Sequence, residues 1–454
     1  MSHPIAAIAT AQAPGAIGVV RISGEGAADI AARIFQPFSG ISLNASKGYR
    51  AHFGELTDAA GAFDTGIATV FRAPRSYTGE DVVEISCHGG LYMTRRLLRA
   101  ALDQGAALAQ PGEFTRRAFL NGKMSLTSAE AVMELIGAQG ALAASAAKAA
   151  AEGALQRKIT SVRTELTDAA AHLTAWADFP DEEVPEVTGA ELEQRLASAL
   201  QALDGLLNQF EAGKVLREGV DTVILGRPNV GKSTLMNLLS GCERSIVTAI
   251  PGTTRDVVEE SVKLGEIVLR LADTAGLRDT DDPVERIGVD RARQRMDTAG
   301  LVLAVFDGAS PLDSEDLRLL EQIGTRPAVA VINKGDLPEA IDAAYIQARV
   351  PHTVRISAAA QRGVAELTEA VAQVLGTTTI QPDEGMLFTE RQRQAATRAR
   401  NAVAEALDAL YMGMTFDAIT VSVEDGIGAL LELTGESVSE SVVDAVFSQF
   451  CVGK

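Results

Sequence analysis

Three short segments, far apart along the chain, hold the residue types that bind a nucleoside triphosphate. The first, Gly226-Arg-Pro-Asn-Val-Gly-Lys-Ser233, follows an apolar run from Val220 to Leu225 and precedes a helical pattern from Thr234 to Leu239. A phosphate-cradling Walker A loop requires that strand–loop–helix setting. Gly226 and Gly231 let successive N–H groups, Val230 among them, turn inward, and the helix start at Ser233 and Thr234 adds its positive dipole end. Lys232 is expected on the β- and γ-phosphates, and the Ser233 hydroxyl on Mg²⁺. In the second segment, Asp273-Thr274-Ala275-Gly276, Asp273 would hold Mg²⁺ and Gly276 would offer its N–H to the γ-phosphate. The third, Asn333-Lys334-Gly335-Asp336, ends an apolar run from Ala328 to Ile332. Asp336 can accept from guanine N1–H and N2–H₂, a donor pair that adenine lacks, so ATP would leave this carboxylate unpaired. Each segment alone is an ordinary Gly-rich or Asx turn. All three, in this order, predict a guanine-nucleotide pocket and GTP hydrolysis.

Two further segments complete that pocket. Gly252-Thr253-Thr254-Arg255-Asp256 lies in a loop before the next strand pattern, where Thr254 would meet Mg²⁺ and the γ-phosphate. Ser357-Ala358-Ala359 follows the last strand pattern and is expected to place N–H groups on guanine O6. Leu277, after Gly276, stands where Ras-like enzymes have the glutamine that orients the attacking water. A leucine cannot hold water, so hydrolysis needs another arrangement.

The elements that must position these residues follow from periodicity. Residues 216–378 alternate strand and helix patterns, with later strands expected at Val257–Leu264, Ile267–Ala272, Leu301–Asp307, Ala328–Asn333 and Val354–Ser357. Such alternation predicts a mostly parallel, doubly wound α/β sheet. Residues 1–117 mix short strands (Ile17–Ser23, Thr65–Phe71, Asp81–Cys87) with helices (Ala27–Phe35, Leu91–Leu102) and read as a small α+β domain. Residues 118–215 and 379–454 carry Ala and Leu at helical spacing. The simplest architecture is multidomain: an N-terminal α+β domain, then an all-α helical domain into which the α/β P-loop domain is inserted.

Composition narrows the setting. A chain of 454 residues predicts about three domains. Its three cysteines, Cys87, Cys242 and Cys451, form no CxxC pair and suit a reducing cytoplasm. No run is apolar enough to span a membrane, and the start lacks a signal peptide's basic region. The tail Cys451-Val-Gly-Lys454 has the wrong last residues for prenylation. A net charge of −19 argues against a large nucleic-acid face of its own, so any RNA would depend on a partner for phosphate neutralisation.

From end to end the chain resembles the MnmE (TrmE) family of bacterial tRNA-modification GTPases. The resemblance rests on Gly79-Glu-Asp81, His88-Gly-Gly90, Pro111-Gly-Glu-Phe-Thr-Arg-Arg-Ala-Phe-Leu-Asn-Gly-Lys123, Phe179-Pro-Asp-Glu-Glu183, Pro251-Gly-Thr-Thr-Arg-Asp256, Val284-Glu-Arg-Ile-Gly288 and Phe450-Cys-Val-Gly-Lys454. It implies that Glu285 orients the attacking water, with Lys232, Thr254 and Asp256 beside it in hydrolysis. It also implies K⁺ in the role of an arginine finger, held by Asn229, Thr248, Ile250 and Thr253, with Ala249, Pro251 and Gly252 completing the nucleotide-binding loop. Arg21, Glu84, Lys123 and Lys454 would bind a tetrahydrofolate one-carbon derivative, 5-formyl or 5,10-methylene, in an N-terminal domain that drives homodimerisation. The implied partners are MnmG (GidA), which uses FAD and NADH, and tRNA, whose wobble uridine would gain an aminomethyl-type group at C5. A rival of another class is an Era-like ribosome-assembly GTPase switch, which would lack residues 1–117. Cys451 is expected to be a small buried thiol and His88 a structural histidine. The chain departs from the family pattern at Ala16, Ser125, Ser128 and the helix around 416–430, and Ser125 should still cap the helix after it.

Overall fold

A computed structural model describes residues 3–178, 188–241, 260–271, 296 and 299–453. The chain forms two compact units. One comprises residues up to 133, 151–196 and 401 onward; the other comprises 134–150 and 197–400.

The first unit is built on a seven-stranded sheet of order β3-β4-β5-β6-β2-β1-β7. Its strands are β1 (Ile5–Ile8), β2 (Ile17–Ser23), β3 (Phe35–Pro37), β4 (Arg50–Asp58), β5 (Gly61–Phe71), β6 (Val82–His88) and β7 (Ala107–Leu108). All neighbours are antiparallel except β1 and β7. Along β2, Gly18, Val20 and Ile22 are buried while Ile17, Val19 and Arg21 face outward, the period-two alternation of a half-covered strand. Helices Ala27–Ile34 and Leu91–Asp103 close the inner face over Val20, Ile22, Leu56, Val83 and Ile85. The outer face keeps Ile17, Phe53 and Ile67 exposed. Helices Glu113–Leu120, Leu126–Gly137, Ala154–Asp178, Phe416–Thr434 and Glu440–Ser448 also contribute to this unit, and Phe119, Phe447 and Phe450 join Leu126 in a small core. The Ser125 hydroxyl accepts from Ser128 N–H at 3.1 Å, so the expected cap is formed.

The second unit holds a six-stranded sheet of order β13-β12-β11-β8-β10-β9. These strands are β8 (Val220–Leu225), β9 (Glu260–Leu264), β10 (Ile267–Leu271), β11 (Leu301–Asp307), β12 (Ala328–Asn333) and β13 (Thr353–Arg355). All pairs are parallel except β9 with β10. Strands β11 and β12 are buried throughout and read as continuous apolar runs, as central parallel strands do. The last strand ends earlier than its sequence pattern predicts. Ser357 leaves the sheet because its backbone N–H and C=O both pair with Arg362 in an isolated bridge. Strands β1, β3, β4 and β7 have no sequence-predicted counterpart. Positions 257–259 and 272 of two predicted strands lie outside the described residues.

Candidate functional site

The nucleotide site is assembled at the carboxyl ends of β8, β11 and β12. After β8 the chain runs through residues 226–231 into helix Lys232–Gly241. Asn229 sits at φ 62 and Gly231 at φ 96, left-handed values that turn the loop back on itself. A Cβ on Gly231 would stand 2.2 Å from Asn333 Nδ2, so only glycine fits there. Lys232 Nζ donates to the carbonyls of Gly226 at 2.8 Å and Arg227 at 2.7 Å. Asn229 and Ser233 are exposed, with oxygen-bearing side chains of the type hard cations take.

Asn333 is the joint of the site. Buried at 3% exposure, it donates from Nδ2 to Val230 O at 2.9 Å and accepts at Oδ1 from Ala358 N–H at 3.0 Å. One side chain thereby ties the P-loop to the loop after β13. Ala358's N–H is therefore held by Asn333 at the start of the loop after β13. Asp336 lies beside the loop after β13, where the Ser357 hydroxyl donates to its Oδ1 at 2.5 Å and accepts from Ala360 N–H at 3.1 Å. That hydroxyl bond, with Asp336's own N–H, holds the Asp336 carboxyl below the usual carboxylate range. It stays an acceptor, as guanine requires.

Asp307 belongs to the site but was missed at the sequence level. It closes β11 and takes Lys334 Nζ at 2.8 Å. Burial would raise its carboxyl, but bonds from Lys334, the Ala309 N–H and Ser310 bring it below the usual range. The signal was present in the strand-ending aspartate, whose register partner is Asn333. Thr248, Ala249, Ile250, Pro251, Gly252, Thr253, Thr254, Asp256, Asp273, Thr274, Ala275, Gly276 and Glu285 lie outside the described residues.

A second cluster stands on the outer face of the first unit's sheet. Arg21 on β2 and Glu84 on β6 are direct cross-strand partners, joined at 2.8 and 2.9 Å. Arg21 also lies 5.5 Å from the ring centres of Tyr77 and Phe114. Its Nη1 donates to Gly453 O at 3.3 Å, which brings the chain's last described residues to the pair. Gly453 is buried, and a Cβ there would meet Ile8 O at 2.3 Å. Lys123 reaches the 72–81 loop at Pro74 O, 3.0 Å away. Lys454 lies outside the described residues. Cys451 is exposed rather than buried, because the tail passes over the surface here. Cys87 is the buried thiol, pushed up to about 11 by burial and then by Asp64. His88 is exposed, with Nδ1 2.6 Å from Asp64 Oδ1, a carboxylate that also takes the His88 N–H.

Comparison with known proteins fixes the family. The family model described as "GTP-binding protein TrmE N-terminus" matches residues 4–123, and the one described as "MnmE helical domain" matches 126–451. The protein from Symbiobacterium thermophilum named tRNA modification GTPase MnmE is 44% identical over 99% of both chains. Proteins of the same name from Heliobacterium modesticaldum and Clostridioides difficile are 42% and 38% identical, again over 99% of each chain. This chain belongs to the MnmE family. The helical-domain match begins before the β8–β13 sheet and continues beyond it, and the N-terminal match covers the segment that an Era-like switch would lack. The nucleotide site is accordingly that of a GTPase. Among the described residues no helix is long and apolar enough to cross a membrane.

Proposed function

We propose that this protein is a K⁺-stimulated cytoplasmic GTPase that works with MnmG to modify C5 of the wobble uridine of certain tRNAs. Support comes first from the full-length likeness to proteins named for tRNA modification. The observation that carries the reading is the meeting of Arg21, Glu84 and the chain's tail through the Arg21–Gly453 bond, in a unit separate from the nucleotide sheet. A switch protein needs only the nucleotide site. A second built site, with a cation, a carboxylate and an aromatic wall, suits a pterin-and-carboxylate ligand such as a one-carbon tetrahydrofolate. Glu84 would take pterin N–H groups, while Arg21, Lys123 and Lys454 would pair with its carboxylates.

In the nucleotide site, Ser233, Thr254 and Asp273 would hold Mg²⁺, and Asn229, Thr248, Ile250 and Thr253 would hold K⁺. These cations supply the charge neutralisation that phosphoryl transfer needs. Glu285 orients the water that Leu277 cannot. Asn333, Ser357 and Asp336 hold and read the base. The outer sheet face with Phe53 and Ile67 suits pairing with a second copy of this chain.

Replacing Na⁺ by K⁺ tests the reading. GTP turnover should rise at least about fivefold with K⁺, a lower bound well inside the roughly hundredfold or more that one charge-stabilising group can contribute in such a site. Equal turnover in the two salts would remove Asn229 from its role.

A further inference from the structure

Arg227 is a P-loop residue that the nucleotide chemistry leaves unassigned. Its Nη1 donates to Asp313 Oδ2 at 2.7 Å, and its Nε lies 3.5 Å from Asp316 Oδ2. Both carboxylates belong to the start of helix Ser314–Ile323. Asp313 is the N-cap, accepting from Glu315 and Asp316 N–H, and Asp316 accepts in return from Asp313 N–H. Asp316 is 1% exposed, and burial pushes its carboxyl up against the pull of the Asp313 N–H and Arg227. Asp316 Oδ1 and Arg227 Nε are buried without a hydrogen-bond partner among the described residues. Deleting either charge would leave the other buried and poorly compensated.

The main chain of the same residue faces the phosphate chemistry. The Arg227 carbonyl accepts from Lys232 Nζ at 2.7 Å, and Gly226 O accepts from the same ammonium. Two residues on, Asn229 turns the loop in a left-handed conformation, which asparagine adopts more readily than most non-glycine residues. The side chain is therefore anchored to the helix after β11 while the backbone meets the lysine that serves the phosphates.

We propose that Asp313 and Asp316 clamp Arg227 and thereby set the first half of the P-loop and Lys232 for phosphate binding. Arg227 acts as a positioning residue without touching the nucleotide. A simpler role, bracing the helix start, makes different predictions, because capping and clamping can be separated. Asp313→Ser keeps a capping oxygen and removes the charge facing Arg227.

The test uses the full chain as Arg227→Ala, Arg227→Lys, Asp313→Ser and the Arg227→Ala/Asp313→Ser double variant. GDP affinity by fluorescent-analogue titration and GTP KM and kcat are measured well below unfolding, and Tm by thermal denaturation. Arg227→Ala and Asp313→Ser should each raise GDP Kd and GTP KM about tenfold, with kcat falling less than about threefold, the signature of lost binding shared by ground and transition states. Arg227→Lys should recover part of the loss, and the double variant should be no worse than Arg227→Ala. A lowered Tm with GDP affinity within about twofold of wild type would leave only the brace and overturn the proposal. Losses that multiply in the double variant would overturn it too. Should Arg227→Ala fail to fold, Asp313→Ser alone decides between the two roles.

Discussion

At the scale of single residues, recognition of guanine comes down to one carboxylate and the hydroxyl that holds it. In the proposed site Asp336 would take two guanine N–H donors only while ionised, and the Ser357 bond favours that form. Its carboxyl is depressed, so the contribution is fully present above the ordinary carboxylate value and is lost only as pH falls through the lower folded one. The Asp336 contribution to GDP affinity should therefore stay level from about pH 8 to pH 5. Ser357→Ala should move its fall to higher pH, and an unmoved profile would contradict the role of the hydroxyl. Asp336→Asn presents an amide donor to guanine N–H groups and should cost about a hundredfold or more in GTP affinity. It should also admit xanthosine triphosphate, whose C2 oxygen can accept from that amide; competition titration reads both effects.

At the scale of elements, the P-loop is held from outside as much as by its own sequence. Asn333 joins it to the loop after β13, with both ends of the amide satisfied in a buried position. Asn333→Ala should cost about 2–3 kcal/mol of stability, since it strands two buried polar groups, and thermal unfolding measures it. Gly231→Ala should abolish nucleotide binding, because its Cβ would overlap the Asn333 amide in a backbone conformation that already disfavours alanine. The central strands were legible because buried parallel strands are unbroken apolar runs: β8, β11 and β12 lie where Val220–Leu225, Leu301–Asp307 and Ala328–Asn333 predict. Strand β4 was not, since Arg50-Ala-His-Phe-Gly-Glu-Leu-Thr-Asp58 leaves the large Phe53 outward, buries Gly54 and Leu56, and shifts register between Leu56 and Thr57. Short β3 and β7 carry too few residues for a pattern and exist only because neighbours pair with them. The contacts of Ala358 and Asp307 were not legible for a related reason: their partners, Asn333 and Lys334, reach them through the fold.

For the whole molecule, two chemistries share one chain. The nucleotide sheet and the Arg21–Glu84 cluster belong to different compact units, and the tail of the chain returns to the second of these sites. Phe53 and Ile67 are register partners on the open sheet face, 59% and 47% exposed, and under the proposed homodimer this face would meet the second copy. Phe53→Glu should yield a monomer by sedimentation while GTP binding by the isolated subunit persists; an unchanged dimer would move the contact elsewhere. That hydrolysis drives tRNA modification is the claim on which the account turns. It is tested most directly by mass spectrometry of wobble nucleosides in tRNA from a deletion strain carrying either wild-type protein or Glu285→Ala. Wild type should restore the C5-modified uridine and Glu285→Ala, still binding GTP, should not. Full modification with the variant, or none lost in the deletion, would contradict it.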